Sequence, residues 1–155
     1  MNEGHVGVLD ILANIELFAA VPFESLAALA ERGTRRAFRA RSPLMRQGDT
    51  THSLYVIVTG RVRVERSHPA LLRPMVLEEL GPGEVVGDLG VLDVQPLADT
   101  VTAIERTETV ELRPAALARL VLQLPGASKP LLATLSRRLR SADELAEQMV
   151  REGWG

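Results

Sequence analysis

The sequence contains no cysteine, which excludes disulfides, thiolate metal sites and cysteine nucleophiles. Aromatic residues are few: one Trp, one Tyr and three Phe. The core must therefore be built from aliphatic side chains. The only histidines, His5, His52 and His68, stand on separate segments without a His-x-His pair. A cupin-like metal centre needs clustered ligands, so no zinc or iron site is expected. Among 18 basic residues only Lys129 is lysine, and the formal net charge is −2. A domain that grips bare phosphate backbone is usually strongly basic, and this chain is not. No apolar run approaches the ~20 residues of a membrane span. The N-terminal segment carries Glu3, Asp10 and Glu16 without a basic stretch, so no secretion signal is expected and a cytoplasmic location is.

What is present is the balance of a soluble globular protein, with 46% hydrophobic and 25% charged residues. A length of 155 residues suits a single domain, 1–155. Such a chain buries roughly 70% of its unfolded surface and needs no covalent staple.

Three zones follow one another. Residues 8–33 read as helical: Leu12, Ile15, Leu17 and Phe18 form an apolar segment, which Val21-Pro22 breaks. Pro22 suits a first helical turn, Leu26, Leu29 and Ala30 give a helix face, and Gly33 is a natural stop. Residues 34–113 change to the period of strands. Arg36 to Arg41 alternate, with Ala37, Arg39 and Arg41 opposite Phe38 and Ala40. Leu54 to Val58 is β-branched and aromatic, and Arg61 to Glu65 sets valines on one face and charges on the other. Met75 to Leu80, Thr100 to Ile104 and Glu108 to Leu112 continue the series, with Gly48, Gly60, Gly81, Gly83, Gly87 and Gly90 between them. Short strands with frequent turn signals predict a β-sandwich or barrel. Residues 114–152 return to helix, broken at Pro125-Gly126. In the last helix Leu132, Leu135, Leu139, Ala142, Ala146 and Met149 repeat at alternating spacings of three and four. That heptad seam fits pairing with a second copy, or packing on the chain's own β-zone.

Catalytic patterns are missing. Ser53 follows His52, but neighbours on a strand point to opposite faces. Gly81-Pro82-Gly83 with Gly87 fails the dinucleotide fingerprint and lies outside a βαβ unit. Arg35, Arg36, Arg39, Arg41 and Arg46 read as a wet face rather than a nucleic-acid surface. An enzyme is not expected.

The glycine-rich zone carries a resemblance. Leu44 to Asp49, then Leu54 to Val62, resemble the first half of a cyclic-nucleotide-binding domain. Leu80 to Leu92 resembles the run into that family's phosphate-binding cassette, and Pro96 to Ala103 its close. Leu17 to Pro22 and Leu132 to Arg140 resemble its flanking helices. The resemblance implies a mainly β fold with flanking α: an eight-stranded β-roll, of the jelly-roll kind, with N-terminal and C-terminal helices. It also implies a ligand site in which an acidic residue takes the ribose hydroxyl. Backbone N–H groups of a short helix then face the cyclic phosphate, and an Arg after a Pro pairs with it. Carried over by position, the site comprises Gly87, Asp88, Leu89, Gly90, Val91, Pro96, Leu97, Ala98, Asp99 and Thr100.

This chain departs from that pattern where the phosphate sits. The Arg position holds Leu97, and a position usually small holds Asp99. No Lys or Arg lies between Arg73 and Arg106, whereas Glu78, Glu79, Glu84, Asp88, Asp93, Asp99 and Glu105 do. Losing the charge-assisted bonds costs about 1.5–3 kcal/mol. A carboxylate roughly 6 Å away adds up to about 2–3 kcal/mol of repulsion at an effective dielectric near 20. Together these lower affinity by about two to four orders of magnitude.

The expectation is thus a regulatory or protein-interaction module that does not bind cyclic AMP tightly and has no resident cofactor. It would be a homodimer through the C-terminal helix, lack a DNA-binding domain, and bind neither DNA alone nor a membrane. The alternative is a working cyclic AMP or cyclic GMP sensor that signals through the C-terminal helix. Its phosphate contact would be rerouted to Arg61, Arg63, Arg73 or Arg106. A cation held by Asp88 and Asp99 lacks the dense acidic spacing of a calcium loop. Trp154 suits a frayed terminus better than a lid over a ligand.

Overall fold

A computed structural model describes residues 7–19, 21–50, 53–87 and 96–113, together with 115, 116 and 119. Two helices come first, α1 (Val8–Ala13) and α2 (Phe23–Ala30), separated by a 3-10 turn at Glu16–Phe18. Eight strands follow: β1 (Thr34–Phe38), β2 (Pro43–Met45), β3 (Leu54–Thr59), β4 (Val62–Arg66), β5 (Met75–Leu80), β6 (Val85–Gly87), β7 (Thr100–Ala103) and β8 (Thr107–Leu112). They form two antiparallel four-stranded sheets, ordered β1-β8-β3-β6 and β2-β7-β4-β5. Residues 115, 116 and 119 are helical.

Strand β3 explains how the layers are held. Leu54, Tyr55, Val56 and Ile57 are all buried, because both faces of the strand are covered. Alternate side chains serve different cores. Leu54 and Val56 join Ile11, Leu12, Leu26 and Leu29 of the helices, while Tyr55 and Ile57 join the cluster between the sheets. That second cluster contains Phe38, Leu44, Met45, Val62, Val64, Met75, Leu77, Val86, Leu97, Val101 and Ala103. A continuous apolar run, rather than an alternating one, marks this central position. Buried Thr107 and Thr109 satisfy their hydroxyls by donating to backbone carbonyls, Thr107 to Arg61 and Glu105, Thr109 to Arg36.

Several local expectations need correction. The 8–33 zone holds two short helices and a 3-10 turn. Pro22 is the N-cap of α2 and lies outside its first turn. Gly33 does not stop α2, which ends at Ala30 with Glu31 as its C-cap. A Cβ on Gly33 would lie 3.0–3.2 Å from side-chain atoms of Val8, Val110 and Leu112, so its lack of a side chain lets helix and sheet approach. The Arg36 to Arg41 alternation ends early. β1 stops at Phe38, Ala40 is exposed, and Arg41 turns the chain at φ 74. Arg35, Arg36, Arg39, Arg41 and Arg46 are exposed, as expected.

Candidate functional site

Of the expected ligand residues, Gly87, Pro96, Leu97, Ala98, Asp99 and Thr100 are described. Asp88, Leu89, Gly90 and Val91 lie outside the described residues, as do the seam residues Leu132, Leu135, Leu139, Ala142, Ala146 and Met149, and Trp154. Gly87 closes β6, paired with Leu54 of β3. Its φ of +134 disfavours any L side chain, and a Cβ there would strike the carbonyl oxygen of Ser53. The glycine is thus required by the close approach of β6 to β3, whatever else it does.

The chain returns at Pro96, which is exposed, as is Ala98. Leu97 is only 4% exposed and belongs to the core between the sheets. Its backbone is stitched to the loop after β2: Leu97 N–H donates to Asp49 O at 2.7 Å, and Gly48 N–H donates to Leu97 O at 2.8 Å. Thr100 Oγ1 accepts the N–H of Gln47 at 2.9 Å. The Gln47 amide clasps Ser67, donating to its carbonyl at 2.9 Å and accepting its N–H at 2.8 Å. The loop around Gln47 therefore ties the end of β4 to the start of β7.

Between those tethers sits an ion pair. Strands β4 and β7 run in register from Val62 opposite Ala103 to Glu65 opposite Thr100. The next step of that register sets Arg66 opposite Asp99. Arg66 Nε donates to Asp99 Oδ1 at 2.6 Å, with side chains 15% and 22% exposed. Such a short, partly desolvated contact is a charge-assisted hydrogen bond. Arg66 was missed by sequence reasoning, although the alternation of Val62 and Val64 points its side chain inward.

Of the four arginines named as alternative phosphate partners, two have carboxylate partners. Arg63 donates twice to Glu79, from Nε at 3.1 Å and Nη2 at 2.9 Å, with both side chains well exposed. Arg106 lies 3.6 Å from Glu108. Arg61 and Arg73 are exposed.

A second polar cluster surrounds Glu111 on β8. Its carboxylate accepts from Ser53 Oγ at 2.6 Å, from Tyr55 OH at 3.4 Å and from Arg36 Nη1 at 3.2 Å. Burial would raise the Glu111 carboxyl, but these hydrogen bonds and the Arg36 charge outweigh it and hold it below its ordinary range. Burial first, and then the Glu111 charge, push the Tyr55 phenol above its ordinary range. Tyr55 also meets Phe38 edge to face, with ring centroids 5.7 Å apart. The Ser53 proton is directed at a carboxylate inside the fold, an arrangement that braces β3 against β8. His68 accepts the N–H of Ala70 through Nδ1 at 3.0 Å. Among the described residues no group of three His, Asp or Glu could hold a metal, and no helix is long and apolar enough to cross a membrane.

Comparison with known proteins agrees with this architecture. Residues 35–123 match the family model of the cyclic nucleotide-binding domain. The cyclic AMP receptor protein of Thermus thermophilus is 36% identical over 109 residues, 70% of this chain and 50% of the relative. A CRP-like cAMP-activated global transcriptional regulator of Mycobacterium tuberculosis is 30% identical over 141 residues, 91% of this chain and 62% of the relative. The crystal structure of the Thermus thermophilus catabolite activator protein superposes with a TM-score of 0.69 at 32% identity, covering 86% of this chain and 62% of that one. The chain thus spans between half and about three-fifths of the length of these relatives. With its eight strands in two antiparallel sheets and a family model matched over more than half its length, the chain belongs to the cyclic nucleotide-binding domain family.

Proposed function

We propose that this chain is a non-catalytic regulatory module of the family in which binding of cyclic AMP and cyclic GMP is weak. The observation that carries the reading is Leu97. At the position where the family resemblance implies an Arg for the phosphate, this chain places an apolar side chain that is 4% exposed and part of the core. A buried leucine offers no hydrogen bond to an anion. Arg66, which reaches Asp99 two residues beyond Leu97, has its charge balanced by that carboxylate. A cyclic phosphate entering here meets no net positive charge from this pair and an acidic stretch of sequence around it. The module acts through protein contact, and the heptad seam from Leu132 to Met149 supplies a dimer interface.

Thermal-shift titration with cyclic AMP and cyclic GMP, on the wild type and Leu97→Arg, tests this reading. A 10 μM site would gain roughly 2.7 kcal/mol at a hundredfold excess of ligand, a shift of several degrees. The wild type is expected to be silent and Leu97→Arg to shift. Micromolar binding by the wild type would overturn the reading.

A further inference from the structure

We propose that Asp99 is a built-in anion of the ligand site: it holds Arg66 in the ion pair that a cyclic phosphate would otherwise make, and so sets what the site accepts. The inference rests on the reading above, that the fold keeps a nucleotide site with weakened phosphate binding.

Three observations converge. Arg66 and Asp99 face one another across β4 and β7, one step beyond the paired register, with 2.6 Å between Nε and Oδ1. Both side chains are largely withdrawn from water, at 15% and 22% exposed. Asp99 is two residues from Leu97, so their α-carbons are at most ~7 Å apart. The cation missing from one position of the site is therefore present from the opposite strand, already carrying an anion. A guanidinium binds a carboxylate and a phosphate with the same planar fork of N–H donors. A carboxylate tethered in register is always at hand, whereas a free ligand pays the full entropy of association. The site is occupied by the chain itself. A ligand that needs Arg66 binds only the fraction of molecules in which Asp99 has let go, and its apparent affinity falls by that fraction. The hydrogen bonds of the Gln47 side chain to the Ser67 backbone, and of the Gln47 N–H to the Thr100 hydroxyl, fix both ends of the pair, and thus keep that fraction small.

The full chain is titrated with cyclic AMP as wild type, Asp99→Ala, Asp99→Asn and Asp99→Ala with Arg66→Ala. Calorimetry reads affinity, and circular dichroism checks folding. Removing the carboxylate is expected to raise affinity by at least about tenfold, the lower end of a charge-assisted hydrogen bond. The double variant is expected to lose that gain. If Asp99→Ala does not fold, Asp99→Asn, which keeps the shape and an acceptor for Arg66, is judged by the same criterion. A wild type and folded Asp99 variants that are equally silent would overturn this inference and leave the reading of Leu97 standing. A gain that survives Arg66→Ala would also overturn it. Micromolar binding by the wild type would overturn both.

Discussion

Ser53 donates its hydroxyl to Oε2 of Glu111 at 2.6 Å, pinning the entry of β3 to the last turn of the β8 ladder. Tyr55 and Arg36 converge on the same carboxylate. Glu111 is therefore more acidic folded than unfolded. Its ordinary value is 4.5 and its folded value lies lower. A depressed carboxyl stabilises the fold above its unfolded value, and that stabilisation is lost as pH falls through the folded value.

Glu111→Gln should accordingly flatten the stability profile below about pH 4.5 while losing stability at neutral pH. Thermal melts of both proteins at a series of pH values check this. A variant whose melting temperature runs parallel to the wild type across the acid limb would show that Glu111 contributes nothing to it.

Gly87→Ala is expected to destabilise the fold by about 2–4 kcal/mol, combining a strained backbone with overpacking against β3. The methyl would have to enter the space of the Ser53 carbonyl at φ +134. Urea unfolding measures it. A change below about 0.5 kcal/mol, as for an ordinary surface position, would mean that β6 and β3 separate freely.

Much of the β-zone could be read from residues alone, and the reason is periodicity. Val62 to Arg66 alternates long enough to declare a strand, and Met75 to Leu80 and Glu108 to Leu112 stand out as short runs between turn signals. Pro43–Met45 and Val85–Gly87 are strands of three residues, too short for any period to show. Gly33 looks like a helix stop because glycine often is one, and its packing role depends on β8, far away in sequence. The ion pair of the site was hidden for a similar reason. Arginine and aspartate ordinarily face water, and only the register of β4 with β7 sets Arg66 opposite Asp99. The Leu97 substitution, by contrast, was visible at once, since it is a matter of residue identity. Its burial required the fold.

Leu135→Asp is expected to halve the mass seen by light scattering. The residue stands in the middle of the heptad seam, and a carboxylate at such a position must be desolvated when two helices pair. An unchanged mass, with the fold intact, would assign the seam to packing on the chain's own β-zone.

Leu97 can be tested as a core residue independently of any ligand. A side chain that merely lined an open cleft would tolerate truncation. One that is 4% exposed in the cluster with Val64, Met75, Leu77 and Val101 should not. Leu97→Ala is expected to cost about 2–5 kcal/mol, and the volume-conserving Leu97→Met less than about 1.5 kcal/mol. Chemical denaturation of both variants separates the cases. If Leu97→Ala were as stable as the wild type, the side chain would contribute little to the core, and the position would be an open one from which only the charge has been removed. A large cost for Ala with a small one for Met means the leucine has been absorbed into the core, where its packing as well as its lack of charge separates it from the Arg that the family resemblance implies.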